Sequence, residues 1–171
     1  QQGVEVLLLS DRVDEWLMSN LPEFSGKKFQ SIAKGDLDLG KLEDESEKEA
    51  KKDIEEKSKT LVEKITKSLG DKIKEVKVTH RLTDSPACLV VGENDISGNL
   101  ERILKAAGQN TPDIKPVLEI NPEHALIKKL SAEKDQKAFD EYSSVVFDQA
   151  LISEGGQLED PVGFVKRINE L

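Results

Sequence analysis

Aromatic residues are scarce in this chain, at 4% of its 171 residues, whereas charged residues make up 35%. Globular domains usually carry about one-quarter charged residues. A single large aromatic core is therefore excluded, and helices that bury one face and solvate the other are favoured. Long apolar runs are also absent, since no stretch reaches the roughly 18 residues that a membrane helix needs. We expect no membrane partner.

Only one cysteine, Cys88, is present. An internal disulfide is therefore excluded, and a reducing compartment is expected, with the cytoplasm as the default. Because Cys88 lies in an apolar strand pattern, it is predicted to be a small core residue rather than a reactive thiol. The net charge of -9 comes from acids and bases that are interleaved along the chain. Nucleic-acid binding, which requires clustered basic residues, is not expected.

Catalytic motifs are missing as well. The sequence has no glycine-rich phosphate loop, no CxxC pair, and neither the HExxH nor the GxSxG pattern. His80 and His124 stand far apart without a metal-ligating neighbour at short spacing, so packed or surface roles are expected for both. The many carboxylates fall on solvated helical faces. We therefore predict a chain that is not an enzyme and that has no catalytic residue, metal site or cofactor of its own.

The N-terminal part is predicted to be a small strand–helix–strand unit. Residues 4–10 form a continuous apolar run typical of a buried strand, and residues 12–21 place apolar side chains at helical spacing. Residues 27–33 alternate as a second strand. Such a unit buries too little surface to fold alone. It is interpreted as the end of a larger α/β unit, with the glycine-containing residues 34–42 as its boundary.

A long charged helix and a small three-stranded sheet follow. Residues 43–69 contain neither glycine nor proline and are rich in Glu, Lys and Ala, which favours one long helix with a solvated first half and a packed second half. Asn121 is predicted to cap a further helix, with Pro122 at its first position. Together these elements indicate an α+β fold. Strands are predicted at residues 74–82, 87–91 and 116–120.

Residues 95–109 form a short amphipathic helix pattern between two loops. Apolar side chains recur on one face at helical spacing, and Gly98 weakens the helix near its start by about 1 kcal/mol relative to alanine. A weak helix of this kind is either held by a core or kept as an exposed apolar surface. The sequence leaves both readings open.

Two C-terminal helices, over residues 136–154 and 160–171, carry more large apolar side chains than one packed side requires. A bundle of two helices from each of two copies would cover both faces. We therefore expect a homodimer, while an ordinary core within one chain remains the alternative. The predicted interface consists of Phe139, Tyr142, Val146, Phe147, Ala150, Leu151, Phe164, Val165, Ile168 and Leu171.

Four segments carry a family resemblance, at residues 4–39, 78–91, 103–130 and 147–171, and their most specific parts are LLLSDRVDEW, HRLTDSPA and INPEHALIKKL. In this order they resemble the C-terminal third of the bacterial ninety-kilodalton heat-shock chaperones. The resemblance covers nearly the whole chain, although the long helix matches only in its charged character.

This resemblance implies a piece of a modular, ATP-driven, dimeric chaperone whose partners are a second copy and unfolded client proteins. The ATPase site, with its ATP and magnesium, belongs to an N-terminal domain outside this chain. Residues 1–39 would be the end of the middle domain, and residues 40–171 the α+β C-terminal dimerisation domain. In the family, the last two helices form an intermolecular four-helix bundle.

The resemblance also implies a client-binding surface. The family's tryptophan falls on Trp16, with Glu15 beside it, and a nearby asparagine of the family is replaced by Ser19. The mobile amphipathic helix of the family falls on residues 95–109, where isoleucine and leucine replace methionine and phenylalanine. An alternative is a passive dimerisation module, with client contacts made elsewhere in the intact protein. The helical members of the predicted client surface are Ile96, Leu100, Ile103 and Leu104.

Overall fold

The computed structural model describes residues 5–9, 11, 13–31, 45–92, 95, 104, 108–109 and 114–170. Within these parts the fold is mixed α+β, which confirms the predicted class. The helices with described bounds are α1 (Asp14–Asn20), α2 (Glu45–Leu69), α3 (Ala125–Ala132), α4 (Gln136–Ser153) and α5 (Pro161–Glu170). The strands are β1 (Glu23–Phe24), β2 (Lys27–Lys28), β3 (Glu75–Val78), β4 (Ala87–Val90) and β5 (Val117–Ile120).

The N-terminal segment contains less strand than the sequence predicts. Residues 5–9 have no regular structure, and the side chains from Val6 to Leu9 are each at least 50% exposed. Their prediction as a buried strand is wrong for this chain, because no described strand pairs with them and an unpaired strand is not stable. The second predicted strand shortens to β2, which pairs with β1 in a hairpin. Its turn uses positive φ angles at Ser25 and Gly26, as a tight right-twisted hairpin requires.

Helix α2 is the long charged helix that the absence of glycine and proline predicts. Its second half buries one stripe, in which Leu61, Ile65 and Leu69 are all less than 10% exposed. The helix ends at Gly70, whose φ of +53° is a left-handed conformation that glycine adopts without steric cost. This packed stripe brings α2 onto β3 and α4.

The three-stranded sheet has the order β3-β5-β4, with β5 in the centre. Strand β5 runs parallel to β3 and antiparallel to β4. Its residues Leu118 and Ile120 are fully buried against the helices. Helix α4 completes this core, since Phe139 and Val146 are also fully buried. The predicted small sheet with packed helices is therefore confirmed.

The start of α3 differs from the sequence prediction. Asn121 does not cap a helix: its Oδ1 accepts a hydrogen bond from the Glu123 amide at 3.0 Å, and its Nδ2 donates to the Leu82 carbonyl at 3.0 Å. The cap is His124, whose Nδ1 accepts from the Leu126 amide at 3.1 Å. The helix therefore begins three residues later than expected, because the Asn121 side chain is held by the loop before β4.

Candidate interaction surfaces

Helix α1 presents an apolar face to solvent. Val13, Trp16 and Leu17 are 61%, 71% and 44% exposed and lie at helical spacing, so they share one side of the helix. We call these three residues the α1 surface. The helix itself is held locally, since Asp14 Oδ2 accepts a hydrogen bond from the Asp11 amide at 2.8 Å. Clustered exposed apolar side chains are typical of a surface that contacts another molecule.

The predicted client-binding residues are described only in part. Trp16 lies on the α1 surface, as an exposed contact residue must. The side chains of Glu15 and Ser19, which also lie in α1, fall outside the described part of the structure. Leu104 is helical and half-buried, and its carbonyl accepts a hydrogen bond from the Gln109 amide at 3.0 Å. Three further predicted residues lie outside the described ranges: Ile96, Leu100 and Ile103.

The predicted dimer interface divides between the two C-terminal helices. On α4, four of its members are buried in the core of the single chain, and two more pack against that core. Contacts within one chain therefore account for the burial of these positions, as the ordinary-core alternative expects. The buried four are Phe139, Val146, Phe147 and Ala150, and the two packed against them are Tyr142 and Leu151.

Helix α5 retains an exposed apolar stripe. Val162, Val165 and Ile168 are 81%, 57% and 37% exposed, and their spacing of three places them along one side of the helix. We call these three residues the α5 stripe. Val162, which the sequence prediction did not include, is its most exposed member, and Phe164 is half-buried. Leu171 lies outside the described residues.

The other face of the sheet holds a charged cluster. Arg81 Nε lies 2.7 Å from Glu119 Oε2, and Arg81 Nη2 lies 3.4 Å from Cys88 Sγ. Cys88 is therefore half-buried beside an ion pair, not in the apolar core as predicted. Burial raises the pKa of its thiol above the ordinary value, with Arg81 acting in the opposite direction. A protonated thiol is a poor nucleophile, so Cys88 is suited to a structural role.

In the described parts of the chain, His, Cys, Asp and Glu side chains form no group of three that could hold a metal ion. A cavity of about 150 Å³ beside β3 and β5 is lined by charges of both signs, including Lys74, Lys115 and Asp95. No described helix is both long and apolar enough to cross a membrane.

Comparison with known proteins identifies the class to which this fold and these surfaces belong. The model of the family described as Hsp90 protein matches residues 1–171. The chain is 58% identical over 171 residues to the protein named Chaperone protein HtpG of Nitrosococcus oceani, and 61% identical to that of Chromobacterium violaceum. Both matches include 100% of this chain. The chain belongs to the Hsp90 family of heat-shock chaperones.

The matched region is a limited part of these relatives. The chain spans 27% of the length of the Nitrosococcus and Chromobacterium proteins. A third relative, the protein of the same name from Aromatoleum aromaticum, is 60% identical over the full chain, which spans 26% of its length. Membership of the Hsp90 family, which the sequence resemblance predicts, is thus confirmed.

Proposed function

We propose that this chain is the C-terminal portion of an ATP-dependent chaperone, in which it provides homodimerisation and part of the client-binding surface. Residues 1–39 would end the middle domain, and residues 40–171 would form the dimerisation domain. The proposed boundary, between residues 39 and 40, falls outside the described parts. The observation that carries the proposal is the exposed α5 stripe, in a chain that belongs to a chaperone family.

The α5 stripe supports dimerisation because it exposes apolar side chains that burial would stabilise by about 1.5–3 kcal/mol each. Ile152, at the end of α4, is 46% exposed and adds to the apolar surface of the two C-terminal helices. Two copies of α4 and α5 would form a four-helix bundle, with α4 already anchored in its own core. Obligate interfaces of this type commonly bury more than about 2,000 Å².

The α1 surface supports client binding. An exposed tryptophan supplies a large apolar contact area, and unfolded segments would bind by removing such surface from water at about 25 cal/mol per Å². Binding would be loose, because ordering a disordered client opposes the gain. Two copies in a dimer would raise the affinity for a client that spans both. The predicted helix at residues 95–109 would extend this surface.

A passive dimerisation module is the alternative function. It would share the α5 contact but leave the α1 surface without a client role. In either case we propose that ATP and magnesium bind elsewhere in the intact chaperone, that neither nucleic acid nor membrane is a partner, and that the protein acts in the cytoplasm. The two functions differ in whether substitutions at Trp16 weaken client binding without changing the dimer.

The oligomeric state of the chain tests the dimerisation proposal. Sedimentation velocity at micromolar concentration should show a dimer for the wild type and a monomer for Val165→Asp, which places an unpaired charge in the interface. Leu8→Asp is the matched control, because Leu8 is 92% exposed outside α5, and this variant should remain dimeric. A monomeric wild type would refute the proposal, and so would a Val165→Asp variant that dimerises like the wild type.

A further inference from the structure

One buried ion pair joins α5 to α4. Arg167 Nη2 lies 3.0 Å from Asp148 Oδ2, and the Asp148 residue is only 8% exposed. The other terminal nitrogen of Arg167, Nη1, lies 3.9 Å from Asp160 Oδ2 at the start of α5. The side chain of Arg167 therefore links the middle of α4, its own helix and the loop that enters it.

Gly163 leaves room for this arrangement. A Cβ atom at Gly163 would lie 3.1 Å from Arg167 Nη1 and would collide with Asp160 Oδ2, so alanine at this position would require the Asp160 side chain to move. Asp160 also caps the helix, since its Oδ1 accepts a hydrogen bond from the Gly163 amide at 2.8 Å. These groups together fix one side of α5.

The fixed side of α5 lies opposite Val162 and Val165 of the α5 stripe. Gly163, Phe164 and Arg167 are the half-buried residues of this helix, whereas Val162 and Val165 are its most exposed apolar residues. Successive residues are rotated by about 100° around a helix, so Arg167 lies about 160° from Val165. Any rotation of α5 that brought Arg167 out of its contact with Asp148 would turn the stripe away from its present direction.

The hydrogen bonding of the Arg167–Asp148 pair favours a role in orienting α5 over a role in stability alone. Arg167 Nε is buried without a hydrogen-bond acceptor among the described residues. Buried ion pairs with incomplete hydrogen bonding add little net stability, but their directional bonds specify one arrangement.

We propose that Arg167 is a positioning residue for the dimer surface: through Asp148 it sets the rotation of α5, so that the α5 stripe faces a second copy of the chain. This inference rests on the proposed dimerisation and adds the residue that orients it. Arg167 itself would not contact the second copy, because its side chain points to α4. Its effect would be transmitted through the direction of Val162, Val165 and Ile168.

A double-mutant cycle with sedimentation equilibrium tests the proposal on the whole chain. Arg167→Met and Asp148→Asn should each raise the dimer dissociation constant by about tenfold or more, which corresponds to about 1.4 kcal/mol. The dissociation constant of the double variant should be no higher than the higher of the two single-variant values, because both substitutions remove the same contact. Arg167→Lys, which keeps the charge, should recover part of the affinity. Lys137→Met is the control, since its pair with Glu141 is 3.7 Å long and its side chain is 87% exposed.

Amide hydrogen exchange of α5 separates positioning from folding. If Arg167 positions α5 but is not needed to fold it, the α5 amides of monomeric Arg167→Met should remain protected from exchange. Only self-association should then be weakened. Full exchange throughout residues 161–170, without recovery in Arg167→Lys, would show that Arg167 folds the helix and would overturn the inference. A dimer dissociation constant of Arg167→Met equal to that of the wild type would also overturn it. So would a double variant in which the increases in dissociation constant of the two single variants multiply. A wild type that fails to dimerise would instead refute the proposed function, and this inference with it.

Discussion

Arg81 and Glu119 form an ion pair with 2.7 Å between Nε and Oε2, and their side chains are only 21% and 10% exposed. Glu119 lies on the central strand β5, and Arg81 lies in the segment that follows β3. The pair therefore ties the segment after an edge strand to the centre of the sheet, 38 residues away in sequence. Cys88, directly opposite Glu119 on β4, completes the contact across the sheet.

Removing one member of this pair should destabilise the fold strongly. Glu119→Ala removes the carboxylate that lies 2.7 Å from the partly buried Arg81 guanidinium, and breaking a buried pair in this way typically costs about 3–5 kcal/mol. The free energy of unfolding, measured by urea denaturation, gives the value. Glu123→Ala is the matched control, since its pair with Lys128 has side chains 67% and 58% exposed and should contribute less than about 1 kcal/mol. Equal losses in the two variants would contradict the structure.

Glu154, at the end of α4, should make stability depend on pH. Burial raises the pKa of its carboxyl above the ordinary value of 4.5, while Arg81 acts in the opposite direction. The unfolded state therefore releases this proton first as pH rises, so the contribution of Glu154 to stability falls between pH 4.5 and its raised folded pKa. Because Glu154 is exposed to solvent, the effect should be modest.

Glu154→Gln should accordingly raise the thermal midpoint at pH 7, and its advantage should vanish at pH 4, where the wild-type carboxyl is protonated. Differential scanning calorimetry at both pH values measures this. Glu56→Gln, at an α2 position whose side chain is 72% exposed, is the control and should show little difference at either pH. A Glu154→Gln variant that is less stable than the wild type at pH 7 would show that Arg81 outweighs burial.

His124 should stabilise the start of α3 as a side-chain acceptor. His124→Ala removes the hydrogen bond to the Leu126 amide and should lower the free energy of unfolding by about 1 kcal/mol, the usual cost of a lost cap. His124→Asn retains an acceptor at the same position and should lose much less. Chemical denaturation of the two variants provides the comparison, and equal losses would exclude a capping role.

Nucleotide should not bind to this portion of the chaperone. The sequence provides no phosphate loop and no arrangement of side chains that positions a nucleotide with magnesium. Titration calorimetry with magnesium and ATP should therefore give only the heat of dilution. Stoichiometric binding at micromolar affinity would refute this expectation and would place a nucleotide contact in residues 1–171.

Local patterns predict much of this fold. The period of the apolar residues and the absence of glycine and proline predict α2, and Asp160 with Pro161 predicts the start of α5, where Asp160 caps the helix. Patterns that extend over only a few neighbouring residues cannot predict ion pairs between distant segments. Arg81 with Glu119, and Arg167 with Asp148, are 38 and 19 residues apart and meet only once the sheet and helices have packed.

For the candidate dimer surface, too, local sequence patterns predict only part of the structure. Phe139, Val146 and Val165 all lie on apolar helical faces, so periodicity treats them alike. Apolar character shows that a face is covered but not which chain covers it. The structure separates them, because α4 is enclosed by the sheet and by α2, whereas the α5 stripe remains exposed.

Trp16 provides the most direct test of the client-binding claim, because it is the only tryptophan in the chain and is 71% exposed. Its fluorescence can be followed while the chain is titrated with a reduced, permanently unfolded polypeptide that contains no tryptophan. The account predicts a blue shift of the emission and weaker quenching by acrylamide as the client covers the ring, with no loss of the dimer. Emission and quenching that stay unchanged while sedimentation shows the client bound would contradict it, and would favour client contacts away from α1.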